Sequence, residues 1–227
     1  SEGLTHKGDG THLDSNSARE LGERMAIKMH GLQITTKDTY NREAASNKDH
    51  GRWQPLFKTV KDTIHWTSIL ENPFPNDGWQ IKKKELILLP GRKGGDIITK
   101  KKYADFELKL EFKMTKLVNS GVKYFVHPME NSENGRTEWI GFEYQIIDDF
   151  HQDEIQGFDD EKGATAALYL LYAPDKNKKL KPSGVWNSMR IRVQGSKIEH
   201  WLNGDIVLSV DIDSQEFKNL VHCFSKK

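Results

Sequence analysis

The stretch "SMRIRVQGSKIEHWLNGDIVLSVDI", residues 188–212, constrains the fold more than any other part of the chain. It reads as three strands joined by two tight turns, Gln194-Gly195-Ser196 and Asn203-Gly204, and Asn-Gly is the strongest short hairpin signal. Alternation puts Met189, Ile191, Val193, Ile198, Leu202, Ile206, Leu208 and Val210 on one face. Arg190, Arg192, Glu199 and Trp201 then take the opposite face, while His200 falls among the apolar residues, the usual place of a hydrogen-bonded core histidine.

Other segments repeat the pattern. In "DFELKLEFKM" the residues Phe106, Leu108, Leu110 and Phe112 alternate with Glu107, Lys109, Glu111 and Lys113, so one face is buried and the other wet. "SGVKYFVH" sets Val122, Tyr124 and Val126 against Lys123, Phe125 and His127, and "GFEYQII" sets Phe142, Tyr144 and Ile146 against Glu143, Gln145 and Ile147. Many short strands with one apolar face predict an all-β protein, two antiparallel sheets packed as a sandwich, with one sheet free to present a polar and aromatic groove. The β texture begins near residue 51. Residues 1–50 are polar and are read as an N-terminal extension, with helix-like spacing of Leu21, Met25, Met29 and Leu32 predicting one short helix; residues 51–227 form the sandwich domain.

Charge and composition exclude several classes. With 34 Lys+Arg against 33 Asp+Glu the formal net charge is +1, which implies no nucleic-acid partner. No apolar run is long enough for a transmembrane helix, and the "SEG" start lacks the features of a signal peptide. The single cysteine, Cys223, excludes an internal disulfide framework and a multi-cysteine zinc site. Phosphate-loop, zinc-protease and serine-elbow motifs are absent. The acidic run "DDFHQDEIQGFDDE" is read as a solvated loop, with a divalent cation site as the minority reading.

The candidate site lies in "GFEYQIIDD". Glu143 and Gln145 share a strand face, and Asp148 joins them only across a bulge. Retaining glycosidases of the laminarinase type place acids at the first, third and last of these positions, because a nucleophile and an acid must flank one bond. Here the middle residue is Gln, which cannot titrate, so either a one-base site or a merely polar strand face fits. Lys123, Phe125 and His127, sharing a face by alternation, would suit a polar sugar, as would Trp201 as a stacking surface.

The ordered motifs "RWQPLF", Trp79 with "QIKKKELI", "GGDIITKKKYADFELKLEFK", "NSGVKYFV", "FEYQIIDD", "AALYLLYAP" and "VWNSMRIRVQGSKIEHWLNG" resemble the 3-keto-disaccharide hydrolase domain, formerly domain of unknown function 1080. The resemblance implies a concanavalin A-like jelly roll and an enzyme acting on glycosides already oxidised at C3. A ketone there acidifies the C2–H, so the C1 bond can break by elimination and one base suffices. For that chemistry, register and motif position give Glu143 or His200 as the expected base, Lys123 or a divalent metal on the enolate oxygen, and Gln145, Asp148 and Trp201 positioning the sugar, with His127, Phe125, Glu199 and Arg190 as further substrate contacts. Export to the periplasm or beyond is also implied. The family pattern usually continues past "VHCFSKK" into further strands with an Asp-His-Gly motif, so the expectation is either that further strands, with site residues among them, follow this sequence or that this member closes its sandwich differently. A carbohydrate-binding module using the Trp201 and Phe125 surfaces is the alternative from another class, and a structural interaction domain the third.

Overall fold

A computed structural model describes residues 53, 55–69, 73–82, 85–89, 95–130, 137–155 and 161–224. The helix expected around Leu21–Leu32 lies outside them. The chain divides into two compact units at Asp105. In the described part of the first, a 3-10 turn Val60–His65 is closed by a reciprocal cap: Thr59 Oγ accepts from Lys61 N, and Asp62 accepts from the Thr59 N–H at 2.8 Å. Two short antiparallel pairs follow, β1 (Trp66–Ser68) with β4 (Ile97–Thr99) and β2 (Trp79–Lys82) with β3 (Glu85–Leu88).

The second unit is the sandwich. One sheet has the order β10 (Asp205–Asp211), β9 (Lys197–Leu202), β8 (Trp186–Gln194), β5 (Phe106–Lys113). The other pairs β6 (Asn119–Glu130) with β7 (Thr137–Ile147), and the segment 166–169 adds a third row through the Leu168 bridge to Tyr144. Between the sheets lie Phe112, Met189, Ile191, Val193, Ile198, Leu202 and Leu208 from one side and Tyr124, Ile140, Phe142, Tyr144 and Ile146 from the other. The all-β two-sheet reading and the faces of β5, β8 and β9 are those expected from alternation.

Both tight turns form. Asn203 (φ 50°) and Gly204 (φ 94°) are left-handed, as a two-residue hairpin with the twist of its strands requires. The Asn203 side chain then bonds Ser188 N and Lys179 O, tying the preceding loop to the sheet. One residue departs from the alternation. The β9–β10 register shifts between Ile206 and Leu208, so Val207 takes the inner place and Ile206 is exposed. A helix, α1 (Gln215–Phe224), follows β10, and its Phe217 packs on Phe142 and Tyr172.

A second bulge matters more. Between Tyr124 and His127 the β6–β7 register slips, and Phe125 sits at φ 53°. Gly141, opposite the slip, makes room for it: a Cβ there would lie 2.7 Å from the Tyr124 carbonyl oxygen and 2.7 Å from Val126 Cγ1. Gly141→Ala should therefore lower stability by about 1–3 kcal/mol, because backbone stands in the way; an unchanged urea midpoint would show that the bulge is not fixed by this contact.

Candidate active site on the outer face of β6 and β7

Ile140, Phe142, Tyr144 and Ile146 of β7 point into the core, so Glu143 and Gln145 point outward. Across the sheet, Lys123 of β6 stands directly opposite Glu143. On the other side Tyr169 N–H donates to Glu143 O at 3.0 Å, and the neighbouring Leu168–Tyr144 bridge sets Tyr169 opposite Glu143 on the same face. Lys123, Glu143 and Tyr169 thus form one row over β6, β7 and the bridged segment 166–169. The next row is Gly121, Gln145 and Ala167, with small residues flanking the glutamine. Glu143 uses that space, since its carboxylate lies where a side chain at position 121 would begin. Gln145, almost fully buried, donates from Nε2 to Asn119 Oδ1 at 3.1 Å. Burial first, and then the charge of Glu143, push the Tyr169 phenol above its ordinary range.

Trp139 lies on this same face, four residues along β7 and so about 13 Å from Glu143. Its buried indole N–H has no hydrogen-bond partner among the described residues. Neither Tyr169 nor Trp139 stands out in the sequence. "AALYLLYAP" is too short to show a period, and only cross-strand register puts its first tyrosine beside Glu143.

Other expected site residues sit elsewhere. Asp148 does not join Glu143 through a bulge. It follows the end of β7 and is sealed from solvent, accepting from Leu117 N (3.0 Å), Phe150 N (3.3 Å), His151 Nδ1 (2.8 Å) and Ser183 Oγ (3.3 Å). Those donors occupy its oxygens, so it organises loops. Asp149 is likewise held, by Lys178 at 2.9 Å and Thr165 N. Among the described residues no three His, Cys, Asp or Glu side chains group as metal ligands.

The bulge separates Phe125 and His127 from Lys123. Phe125 turns onto Phe106, Tyr124 and Phe142, and His127 pairs with the core residue Ile140, so it falls on the face opposite Lys123.

His200 is in the core with no exposure. Its Nδ1–H donates to Ala166 O at 2.9 Å, and its Nε2 accepts from the Tyr124 O–H at 2.8 Å. A carbonyl can only accept, which fixes the neutral tautomer. The ring therefore braces the 166–169 row; no substrate face is open to it. Burial pushes its pKa down to about 4. The unfolded chain takes up this proton below about pH 6.5 and the folded protein does not, so the stability present above that pH falls by roughly 3 kcal/mol as pH drops towards 4. Urea midpoints between pH 7 and pH 4.5 should fall more steeply for the wild type than for His200→Gln; equal slopes would assign the loss to other groups.

Arg190, Glu199 and Trp201 do come together, on the outer face of the other sheet. The Arg190 guanidinium lies 4.6 Å over the Trp201 ring and bonds Glu107 at 2.9 Å, while Glu199 is paired with Lys197 at 2.8 Å. The rings of Tyr144 and His200 meet in the core at 4.7 Å, so their outward neighbours Glu143 and Trp201 point to opposite sides of the sandwich. Lys123, Glu143 and Gln145 on one face and Arg190, Glu199 and Trp201 on the other therefore cannot touch one substrate.

The sequence pattern of a family described as the 3-keto-alpha-glucoside-1,2-lyase-like domain matches residues 52–226. The chain belongs to that family. A curated relative, the 3-keto-disaccharide hydrolase of Bacteroides thetaiotaomicron, is 28% identical over 135 residues. That match covers 56% of this lyase-like chain and 46% of the relative, less than half its length. Two crystal structures from Parabacteroides distasonis ATCC 8503, each described as a candidate glycosyl hydrolase, superpose with TM-scores of 0.57 and 0.54 at 27% identity. They cover 70% and 71% of the chain and 73% of each structure. The β-sandwich of this lyase-like domain is thus shared with proteins assigned to carbohydrate cleavage.

Proposed function

We propose that this chain cleaves 3-keto glycosides at the Lys123–Glu143 row, by removal of the C2 proton and departure of the group at C1. The observation that carries the reading is the pairing of one carboxylate, Glu143, with one cation, Lys123, on an outward face whose next inward-row position is Gln145. A two-carboxylate glycosidase needs a second acid about 5–9.5 Å away. The two acids that follow β7, Asp148 and Asp149, are held by loop donors. One base and one cation match a substrate whose ketone makes C2–H acidic: Glu143 takes the proton, and the Lys123 ammonium stabilises the enolate oxygen. The Trp139 ring, half-buried along the same face, offers an aromatic surface for the rest of the sugar. The family and the hydrolase relative support the substrate class.

A purely binding role draws less support, because one face of the Trp201 ring is taken by Arg190 and Phe125 is turned into the core. The test is incubation of the purified protein with a 3-keto disaccharide and its unoxidised parent. Cleavage of the keto sugar alone is expected. Affinity for the parent without cleavage of either sugar would replace the enzyme by a binding module.

A further inference from the structure

We propose that Tyr169 is the acid that protonates the departing oxygen, and that Tyr169 and Glu143 return one proton to the substrate within each turnover. This rests on the cleavage reading above and adds a catalytic residue to it. Across β6, β7 and the bridged segment 166–169 the order is Lys123, Glu143, Tyr169. Across the substrate the reacting order is the C3 ketone, the C2–H and the C1 oxygen. Strands are about 4.8 Å apart, so neighbouring side chains on one face reach neighbouring atoms of one sugar ring. With Glu143 under C2 and Lys123 at the C3 oxygen, the group left beside the C1 oxygen is the Tyr169 phenol.

Backbone geometry holds that phenol in place. Ala166 and Leu170, on either side of it, both adopt left-handed conformations, at φ 73° and 62°. Such conformations cost about 1–2 kcal/mol each in a non-glycine residue and persist where the surroundings enforce them. The enforcing contacts are visible: His200 holds the Ala166 carbonyl, Ala166 N donates to Gln145 O at 2.8 Å, and Leu170 N donates to Lys162 O at 3.0 Å.

The proton balance closes without a co-reactant. The C2–H bond breaks, its proton goes to the Glu143 carboxylate, and the electron pair forms the enolate at C3. The enolate then collapses: the ketone reforms, a C1–C2 double bond forms and the C1–O bond breaks. The leaving oxygen takes the phenol proton, and the tyrosinate recovers a proton from Glu143. Burial and the charge of Glu143 keep the resting phenol protonated, as a donor must be. Once Glu143 has accepted a proton, its charge no longer opposes tyrosinate.

Leaving-group dependence tests this. Two 3-keto glucosides are compared, one releasing a sugar alcohol and one releasing 4-nitrophenolate, which departs without protonation. Tyr169→Phe should lose about 100-fold or more on the first and less than about tenfold on the second, and should still exchange C2–H for deuterium. Equal loss on both, or loss on neither, would overturn the role of Tyr169 while leaving the cleavage reading intact. A wild type that cleaves neither compound would overturn both. Should the variant fold poorly, the wild type alone decides: kcat/KM should vary little with leaving-group pKa, and a steep dependence would exclude an acid at this position.

Discussion

Glu143→Gln is expected to reduce cleavage of a 3-keto disaccharide by about 10²–10⁴-fold, the usual contribution of a positioned base. The amide keeps the shape of the carboxylate and can still fill the space over Gly121, so the thermal midpoint should barely move. It cannot accept a proton from carbon. Exchange of the C2 hydrogen into deuterated water should therefore disappear together with cleavage, while KM, set by the rest of the face, changes little. Retention of both exchange and cleavage at the wild-type rate would remove Glu143 from the mechanism. Loss of cleavage with exchange intact would shift its task to the departure of the C1 group.

Gly121→Ala is expected to cost about 100-fold in kcat/KM with little loss of stability. A Cβ at this position overlaps Glu143 Oε1 and lies 2.8 Å from Cδ and from Cγ, and those are its nearest neighbours. All three belong to the outer part of one flexible side chain, not to backbone. The carboxylate should swing away and the strand stay where it is. A displacement of about 1 Å in a catalytic group is enough for a loss of that size. Gly141, twenty residues on, gives the opposite outcome from the same chemical change, because there the added methyl meets the Tyr124 carbonyl in the backbone. Measuring both variants for activity and for urea midpoint separates them. If Gly121→Ala unfolds the protein, or leaves activity whole, Glu143 does not depend on that space.

Particular elements show where reading a sequence succeeds. Burial alternates along β5 and β8, and along β9 apart from the buried, ion-paired Glu199, so core and outer residues follow from alternation. Asn203-Gly204 specifies its turn by itself, since both residues tolerate a left-handed backbone. His200, placed among Ile198 and Leu202 by register, is the core histidine that its position indicates. The outward placement of Glu143 and Lys123 was also legible, because each lies on a strand stretch with no bulge between it and its neighbours.

The remainder depends on contacts between segments far apart in the chain. A bulge is one extra residue whose cause sits on the partner strand, as Gly141 does for Phe125, so nothing within "KYFVH" announces that Phe125 and His127 leave the face of Lys123. Asp148 looks like the last member of an acidic strand motif until the N–H of Leu117 and the side chains of His151 and Ser183 close around it. Tyr169 gains its meaning from a bridge between Leu168 and Tyr144. Periodicity along one strand is a local property of backbone sterics and burial. Which strand lies beside which, and on which side of the core a given charge emerges, is set by packing between strands, and that pairing divided the polar residues of this chain between two opposite faces.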